Sequence, residues 1–272
     1  MIHSIFAAPK GGDLAEGIRY AIDQGLNYEL PTFYYPYILD NADSEIEKFT
    51  LLLRDFKGTL SMHGPIFDMN PVSLDPRIAE ASRERYKQAI AVAKRMNVKY
   101  LVFHSQYTPI YTAADCLKPW MNSTIEFFET LLEEELAGSN LTLLLENYLD
   151  ETPIYLKTIL SRINSPQLRC CLDIGHVNIF SKRSPLEWLE DLGNFVVYIH
   201  AHNNHGALDN HLGFQHGSID MNGFLSHLAL SSHRVHLAVE TGSVTDLKSS
   251  HEQVLPYLEM QTTQLRSKSF LV

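Results

Sequence analysis

Cysteine is scarce in this chain: three in 272 residues, Cys116, Cys170 and Cys171, with no CxxC spacing. That excludes a disulfide framework, and the adjacent pair at 170–171 lies in an apolar, strand-like run where buried free thiols are common. Long apolar runs are missing as well. Nothing approaches the roughly 18 uninterrupted residues of a membrane span. The start, MIHSIFAAPKGGD, has no basic flank before its short apolar run, so no signal peptide is expected. These absences point to a reduced, cytoplasmic setting and no membrane partner. Positive charge is in deficit, with 22 Lys and Arg against 32 Asp and Glu and a net charge of −10. A broadly basic nucleic-acid-binding face is disfavoured, although bound divalent cations would add positive charge locally. Low-complexity tracts are absent, and no strand is followed by GxGxxG, so the dinucleotide fingerprint is missing. Histidine, by contrast, is abundant: 13 residues, many of them clustered.

Apolar runs of strand length alternate with segments of helical period along the whole chain. Strands are expected at 2–8, 27–31, 59–63, 100–104, 142–147, 168–173, 195–200 and 235–240. Helices are expected at 13–24, 45–56, 75–96, 117–136, 152–163, 185–191, 220–230 and 244–258. The strands are continuous apolar runs, as in a parallel sheet covered on both faces. Eight consecutive units argue for closure into one α/β domain, a (β/α)8 TIM barrel over 1–272, and no internal linker divides it. No pattern assigns a structure to the tail 261–272. The tyrosine-rich stretch TFYYPYIL (32–39) suits an interface or a pocket lid, and oligomeric state is not legible.

Six successive strands end on side chains that ligate metals: His63, His104, Glu146, Asp173, His200 and Glu240, with His176 three residues after Asp173. In a parallel barrel these ends share one face, where barrel enzymes place their sites. Converging carboxylates and imidazoles repel or stay unpaired unless a cation satisfies them. A helix cap or loop hydrogen bond accounts for any one of these residues, but not for six at once. The mixed oxygen and nitrogen set suits a divalent metal such as Zn2+ or Mn2+ better than Ca2+, with one to three ions expected. Asp209 and His211, two apart, can reach one ion from an extended segment. His202, His205 and His216 read as loop histidines, solvated or facing a substrate, and Lys182 and Arg183 as a solvated helix start. His3, His227, His233, His236 and His251 read as ordinary.

At these positions the sequence resembles the xylose-isomerase-like barrel superfamily. The resemblance is carried by MHGP (62–65), FHS (103–105), LLEN (144–147), LDIGH (172–176), IHAHNN (199–204), DNHLGFQHGSID (209–220) and VETG (239–242). For the isomerase and epimerase branch it implies one metal on Glu146, Asp173, His200 and Glu240. The two glutamates would then move a proton on a small sugar or related carbonyl compound. His176, His202, His216 and Phe67 are the corresponding candidates for substrate contact.

The endonuclease IV branch of abasic-site nucleases implies a nine-residue set for three zinc ions: His63, His104, Glu146, Asp173, His176, His200, Asp209, His211 and Glu240. In that branch Ile66 and Phe67 would be wedges into nucleic acid. Departures weigh against it: ENYLDETPI lacks the glycine-rich turn, Asn210 stands for an arginine, and Gln215-His216-Gly217 stands for Gly-Glu-Gly. The expectation is therefore an isomerase or epimerase with a small-molecule substrate. A zinc phosphodiesterase with a nucleic-acid partner is the runner-up, and a non-catalytic metal-binding barrel is the third reading.

Overall fold

Eight parallel strands pair in chain order and close on themselves, β8 (Val235–Val239) returning to β1 (Ile2–Ala7). Between them run β2 (Asn27–Leu30), β3 (Leu60–His63), β4 (Tyr100–His104), β5 (Thr142–Glu146), β6 (Leu168–Asp173) and β7 (Val196–Ala201). The structure is a computed structural model and describes residues 1–113 and 115–269. The last three residues of the tail lie outside the described residues.

Among the described residues ten helices cover the barrel or cap its strands: α1 (Leu14–Gln24), α2 (Ala42–Leu52), α3 (Pro76–Arg95), α4 (Ile110–Ala113), α5 (Leu117–Leu136), α6 (Ile154–Ile163), α7 (Ile174–Phe180), α8 (Pro185–Leu192), α9 (Met221–Leu230) and α10 (Val244–Ser269). Their starts are set locally. Asp13 and Asp75 accept from the amides of Ala15 and Arg77, and Ser184 forms a reciprocal capping box with Glu187. Helix α3 buries Ala79, Tyr86, Ala89, Ile90 and Ala93, a stripe at three- to four-residue spacing. Tyr86 stacks on Phe103 of β4 with ring centroids 4.1 Å apart, which ties that stripe to the barrel wall.

Several elements differ from expectation. Helix α7 follows β6 directly, in a segment to which no element had been assigned, because the Asp173 carboxylate caps it by accepting from the His176 amide. The stretch 32–41, for which an interface or a pocket lid was expected, folds as two 3-10 turns that bury Phe33 and Leu39 in the core and place Tyr34 and Tyr35 on a cavity. Helix α2 spans 42–52, three to four residues earlier than its apolar pattern suggests. The C-terminal helix continues through Ser269, and Gln261 of the tail exchanges two hydrogen bonds with the Ile2 backbone.

The barrel interior is layered, as alternation along a strand requires. Phe6, Val102, Leu144, Cys171, Tyr198 and Ala238 form one inner cluster. Two residues further along the last five of those strands come His104, Glu146, Asp173, His200 and Glu240, and His63 stands likewise above buried Ser61. One apolar layer therefore carries one polar layer directly on top of it.

Candidate metal centre

Strand register brings the polar layer together. His104 pairs across to Glu146, and Asp173 pairs across to His200. Nδ1 of His200 is the common point: it lies 2.9 Å from Glu146 Oε1, 3.4 Å from Glu240 Oε2 and 3.9 Å from Asp173 Oδ2. Donor atoms that share an ion at roughly 2.1 Å stand about 3.0–3.4 Å apart in octahedral or tetrahedral geometry. Glu146 and Glu240 lie near that spacing from His200 Nδ1 and Asp173 somewhat beyond it, and all four residues are at most 2% exposed.

A second group flanks the first. His63 Nε2 lies 3.1 Å and His104 Nε2 3.5 Å from Glu146 Oε2. On the other side, His176 Nε2 lies 3.3 Å from Asp209 Oδ2, and His211 Nε2 lies 3.6 Å from Glu240 Oε2. All nine residues singled out as metal ligands thus sit in one connected cluster. Asp209 and His211 do approach each other, at 3.7 Å.

Three observations fit this cluster to a divalent metal. Glu240 Oε2 is buried and has no hydrogen-bond partner, although it faces two imidazoles. Two of the histidines have the ring nitrogen opposite the cluster tied off, His63 Nδ1 to Gly64 O at 2.9 Å and His200 Nε2 to Glu29 Oε2 at 3.1 Å, while His176 Nδ1 meets Asn147 O at 2.9 Å and also faces Asp173 and Glu146 at 3.5 and 3.6 Å. Outer-nitrogen anchoring of this kind is the usual dress of a metal-binding imidazole. Finally, two tight groups of ligand atoms occur within the cluster, His63–Glu146–His200 and Glu146–Asp173–His176, and two more join it to His202 (with His211 and Glu240) and to Glu29 (with His200 and Glu240).

The electrostatics follow from the crowding. Burial opposes ionisation of Glu146, yet His200, His63 and His104 hold its carboxyl well below the usual range. Burial likewise opposes ionisation of Glu240, which His200, Lys10 and His211 keep well below it. Burial works against charge on His176, but Asp173, Asp209 and Glu146 raise it to about 10. His104 goes the other way: burial, with His63 and His176 nearby, outweighs Glu146 and lowers it to about 3.

Two members of the site were not foreseen. Lys10, just past β1, forms an ion pair with Glu240 and lies 3.6 Å from Glu29. Glu29 of β2 is 1% exposed beneath the ring of ligands. The signal for it was a lone carboxylate inside the apolar strand NYEL, which a covered barrel strand does not otherwise tolerate.

Above the ring is a cavity of about 250 Å3. Its floor includes His63, His104, Glu146, His176 and Glu240, and its wall Tyr34, Tyr35, Ile66, Phe67 and Tyr148. Phe67 stacks on Tyr35 with centroids 5.5 Å apart, and Tyr148 stacks on His104 at 4.6 Å. Phe67 therefore lines the cavity.

Two loop histidines depart from expectation. His202 is not solvated: it is fully buried, its Nε2 3.2 Å from Asp173 Oδ1, because β7 runs to Ala201 and carries the next residue into the barrel mouth. His216 is exposed and does not line the cavity. The loop folds back through a bridge between Asn203 and Leu212, and the Asn203 side chain clasps the carbonyls of Phe214 and Ile219, which turns 215–217 outward. His205 is exposed as well. Arg183 is engaged by Asp191 and Glu187 on α8.

Among known proteins, residues 22–258 match the family model described as a xylose isomerase-like TIM barrel. An uncharacterised protein of Methanocaldococcus jannaschii is 29% identical over 237 residues, covering 81% of this chain and 78% of its own. The crystal structure of a D-tagatose 3-epimerase-like protein superposes with a TM-score of 0.78 at 22% identity, over 96% of this chain and 99% of that one. A Thermus thermophilus protein soaked with ZnCl2 superposes with a TM-score of 0.70 at 22% identity, over 93% of this chain and 97% of that one.

Proposed function

The chain belongs to the xylose isomerase-like TIM barrel family, and from that premise we propose that it is a metal-dependent isomerase or epimerase of a small sugar or related carbonyl compound. One observation carries the reading. Glu146 and Glu240 converge with Asp173 on His200 Nδ1, at the floor of a cavity of only about 250 Å3. Cavities for drug-sized ligands span about 300–1,000 Å3, so this one suits a single compact molecule.

Glu146, Asp173, His200 and Glu240 would hold the ion. When bound, a divalent metal supplies Lewis acidity that polarises the substrate carbonyl and acidifies the neighbouring C–H. The chain's own groups do the rest. Both glutamates are held ionised by the surrounding imidazoles and Lys10, so either can accept a proton from carbon. In an isomerisation the glutamate that took the proton returns it to the adjacent carbon; in an epimerisation the opposite carboxylate, protonated from solvent, delivers a proton to the other face while the first gives its own up to solvent. Tyr34, Tyr35, Phe67 and Tyr148 give the cavity an aromatic wall against which a compact substrate can pack. The similarity to a D-tagatose 3-epimerase-like protein and to one soaked with zinc chloride supports the reading.

The test is solvent exchange. The chain loaded with Mn2+, Co2+ or Mg2+ is incubated in D2O with a panel of ketoses, aldoses and their phosphates. Deuterium at the carbon next to a carbonyl, lost in Glu146→Gln and Glu240→Gln, is expected. Metal-loaded protein that labels nothing across the panel overturns the reading.

A second reading rests on His63 and His104, which both face Glu146 Oε2 and give the site ligands beyond the four. A zinc phosphodiesterase would use them. Three zinc ions per chain, with cleavage of an abasic oligonucleotide that Glu146→Gln abolishes, would favour it.

A further inference from the structure

Glu29 does not line the cavity, yet every neighbour of its carboxylate belongs to the machinery or supports it. Oε2 receives three donors: Tyr198 OH at 3.0 Å, His200 Nε2 at 3.1 Å and Ser61 Oγ at 3.3 Å. Oε1 lies 3.6 Å from Lys10 Nζ, and Lys10 in turn ion-pairs with Glu240. Three donors on a single oxygen and a cation beside the other define a place for a carboxylate. A buried carboxylate is tolerated only with such partners.

We propose that Glu29 is the positioning residue of the metal centre. From beneath, it holds His200 in the one ring orientation that aims Nδ1 at Glu146, Asp173 and Glu240, and it steadies Glu240 through Lys10. The inference rests on the reading that this ring of residues binds a divalent metal. Its geometric ground is specific. His63 and His176 are anchored by backbone carbonyls, whereas the outer nitrogen of His200 is anchored by a side chain. Lacking that acceptor, the imidazole is free to rotate about its Cβ–Cγ bond or to leave its Nε2–H unpaired in a buried site. Either change costs metal affinity, because the orientation and basicity of a ligand are set by the partner of its far nitrogen.

The probe is Zn2+ alone, titrated into the full chain against a chromophoric chelator. Glu29→Leu is expected to weaken Zn2+ binding about 10–100-fold, the usual cost of removing an outer partner. Glu29→Gln is expected to recover part of that loss, because its amide oxygen still accepts from Nε2–H. Circular dichroism of each variant verifies folding. A second measurement uses the unaltered, Zn2+-loaded chain and so does not depend on how any variant folds. Long-range 1H–15N correlation on the imidazoles should show His200 with a protonated Nε2 and a coordinated Nδ1. The proposal is overturned by a folded Glu29→Leu chain that binds Zn2+ within about twofold of wild type, well short of that cost, or by an unprotonated His200 Nε2. Zn2+ binding that depends on Glu29 in a chain without turnover would sink the isomerase reading alone. Turnover with Zn2+ affinity indifferent to Glu29 would sink this inference alone. A wild-type chain that binds no Zn2+ overturns both.

Discussion

Gly175 leaves open the space that the ring of His202 occupies: a Cβ there would overlap His202 Cε1. His202 in turn presses Nε2 on Asp173 at 3.2 Å and stacks on His211, centroids 4.2 Å apart. The glycine of LDIGH is thus a requirement of packing against the site. Gly175→Ala is expected to displace His202 and loosen both Asp173 and His211, costing about 1–3 kcal/mol, the range for overpacking a buried site. Thermal unfolding and metal content per chain test this together. An unchanged melting temperature with unchanged metal content would show that His202 has room elsewhere.

Asp150 offers a prediction about stability and pH. Its Oδ2 accepts from Ser105 Oγ and the Tyr148 amide, but Oδ1 is buried without a partner, and burial raises the carboxyl to about 6. An acid whose pKa is raised in the folded state favours folding only while protonated. Its contribution is intact below the unfolded value of about 3.8 and is lost as pH rises through about 6. Asp150→Asn should therefore stabilise the protein at pH 8 by up to about 3 kcal/mol, since each tenfold change in proton affinity is worth roughly 1.36 kcal/mol. The advantage should shrink to nothing near pH 4. A pH series of melting temperatures decides it, and a constant difference from pH 4 to pH 8 would show that Asp150 does not titrate in this window.

The barrel was legible because its signal is redundant. Eight apolar runs of strand length separated by helical periods leave few alternatives, and the ends of six of those runs name the site. His63, His104, Glu146, Asp173, His200 and Glu240 could be placed because strand alternation makes them neighbours whatever the loops do. Loop residues had no such rule. His202 and His216 are fourteen positions apart in one histidine-rich segment; the end of β7 at Ala201 buries the first, and the Asn203 clasp turns the second outward. Lys10 and Glu29 went unseen for a different reason. Lys10 acts through Glu240 and Glu29 at the ends of neighbouring strands and Glu29 through Tyr198 and His200 of β7, and although the carboxylate in NYEL was a local signal, no local pattern records which residues it meets.

Lys10 gives a test of charge balance within that contact. It is the one lysine paired with Glu240 and adjacent to Glu29 among the described residues, and it is 18% exposed at the side chain. Lys10→Met leaves Glu29 and Glu240 with His200 as their shared neighbouring cation, and breaking a buried ion pair typically costs about 3–5 kcal/mol. A divalent ion restores positive charge beside Glu240, so the loss should be large in chelator-treated protein and smaller with Zn2+ present. Melting curves of both proteins with and without Zn2+ supply the comparison. An equal loss in both conditions would place Lys10 outside the electrostatics of the site.

Proton release on metal binding distinguishes how far the ion reaches into the cluster. Without metal, His176 is raised to about 10, and His200 is raised well above the ordinary imidazole value, so both carry protons at pH 7. His104, lowered to about 3, carries none to lose. A metal must displace the proton of each imidazole it ligates, so affinity should climb with pH from 6 towards 10. Calorimetry at pH 7 in buffers of different ionisation enthalpy counts the protons. An ion held by Glu146, Asp173, His200 and Glu240 alone should release about one, from His200. Occupation that extends to His176 and Asp209 should release about two, and would favour a site of more than one ion. Binding with no proton release and no pH dependence would mean that neither imidazole is a ligand, and the ring around His200 Nδ1 would lose its assignment as the metal centre.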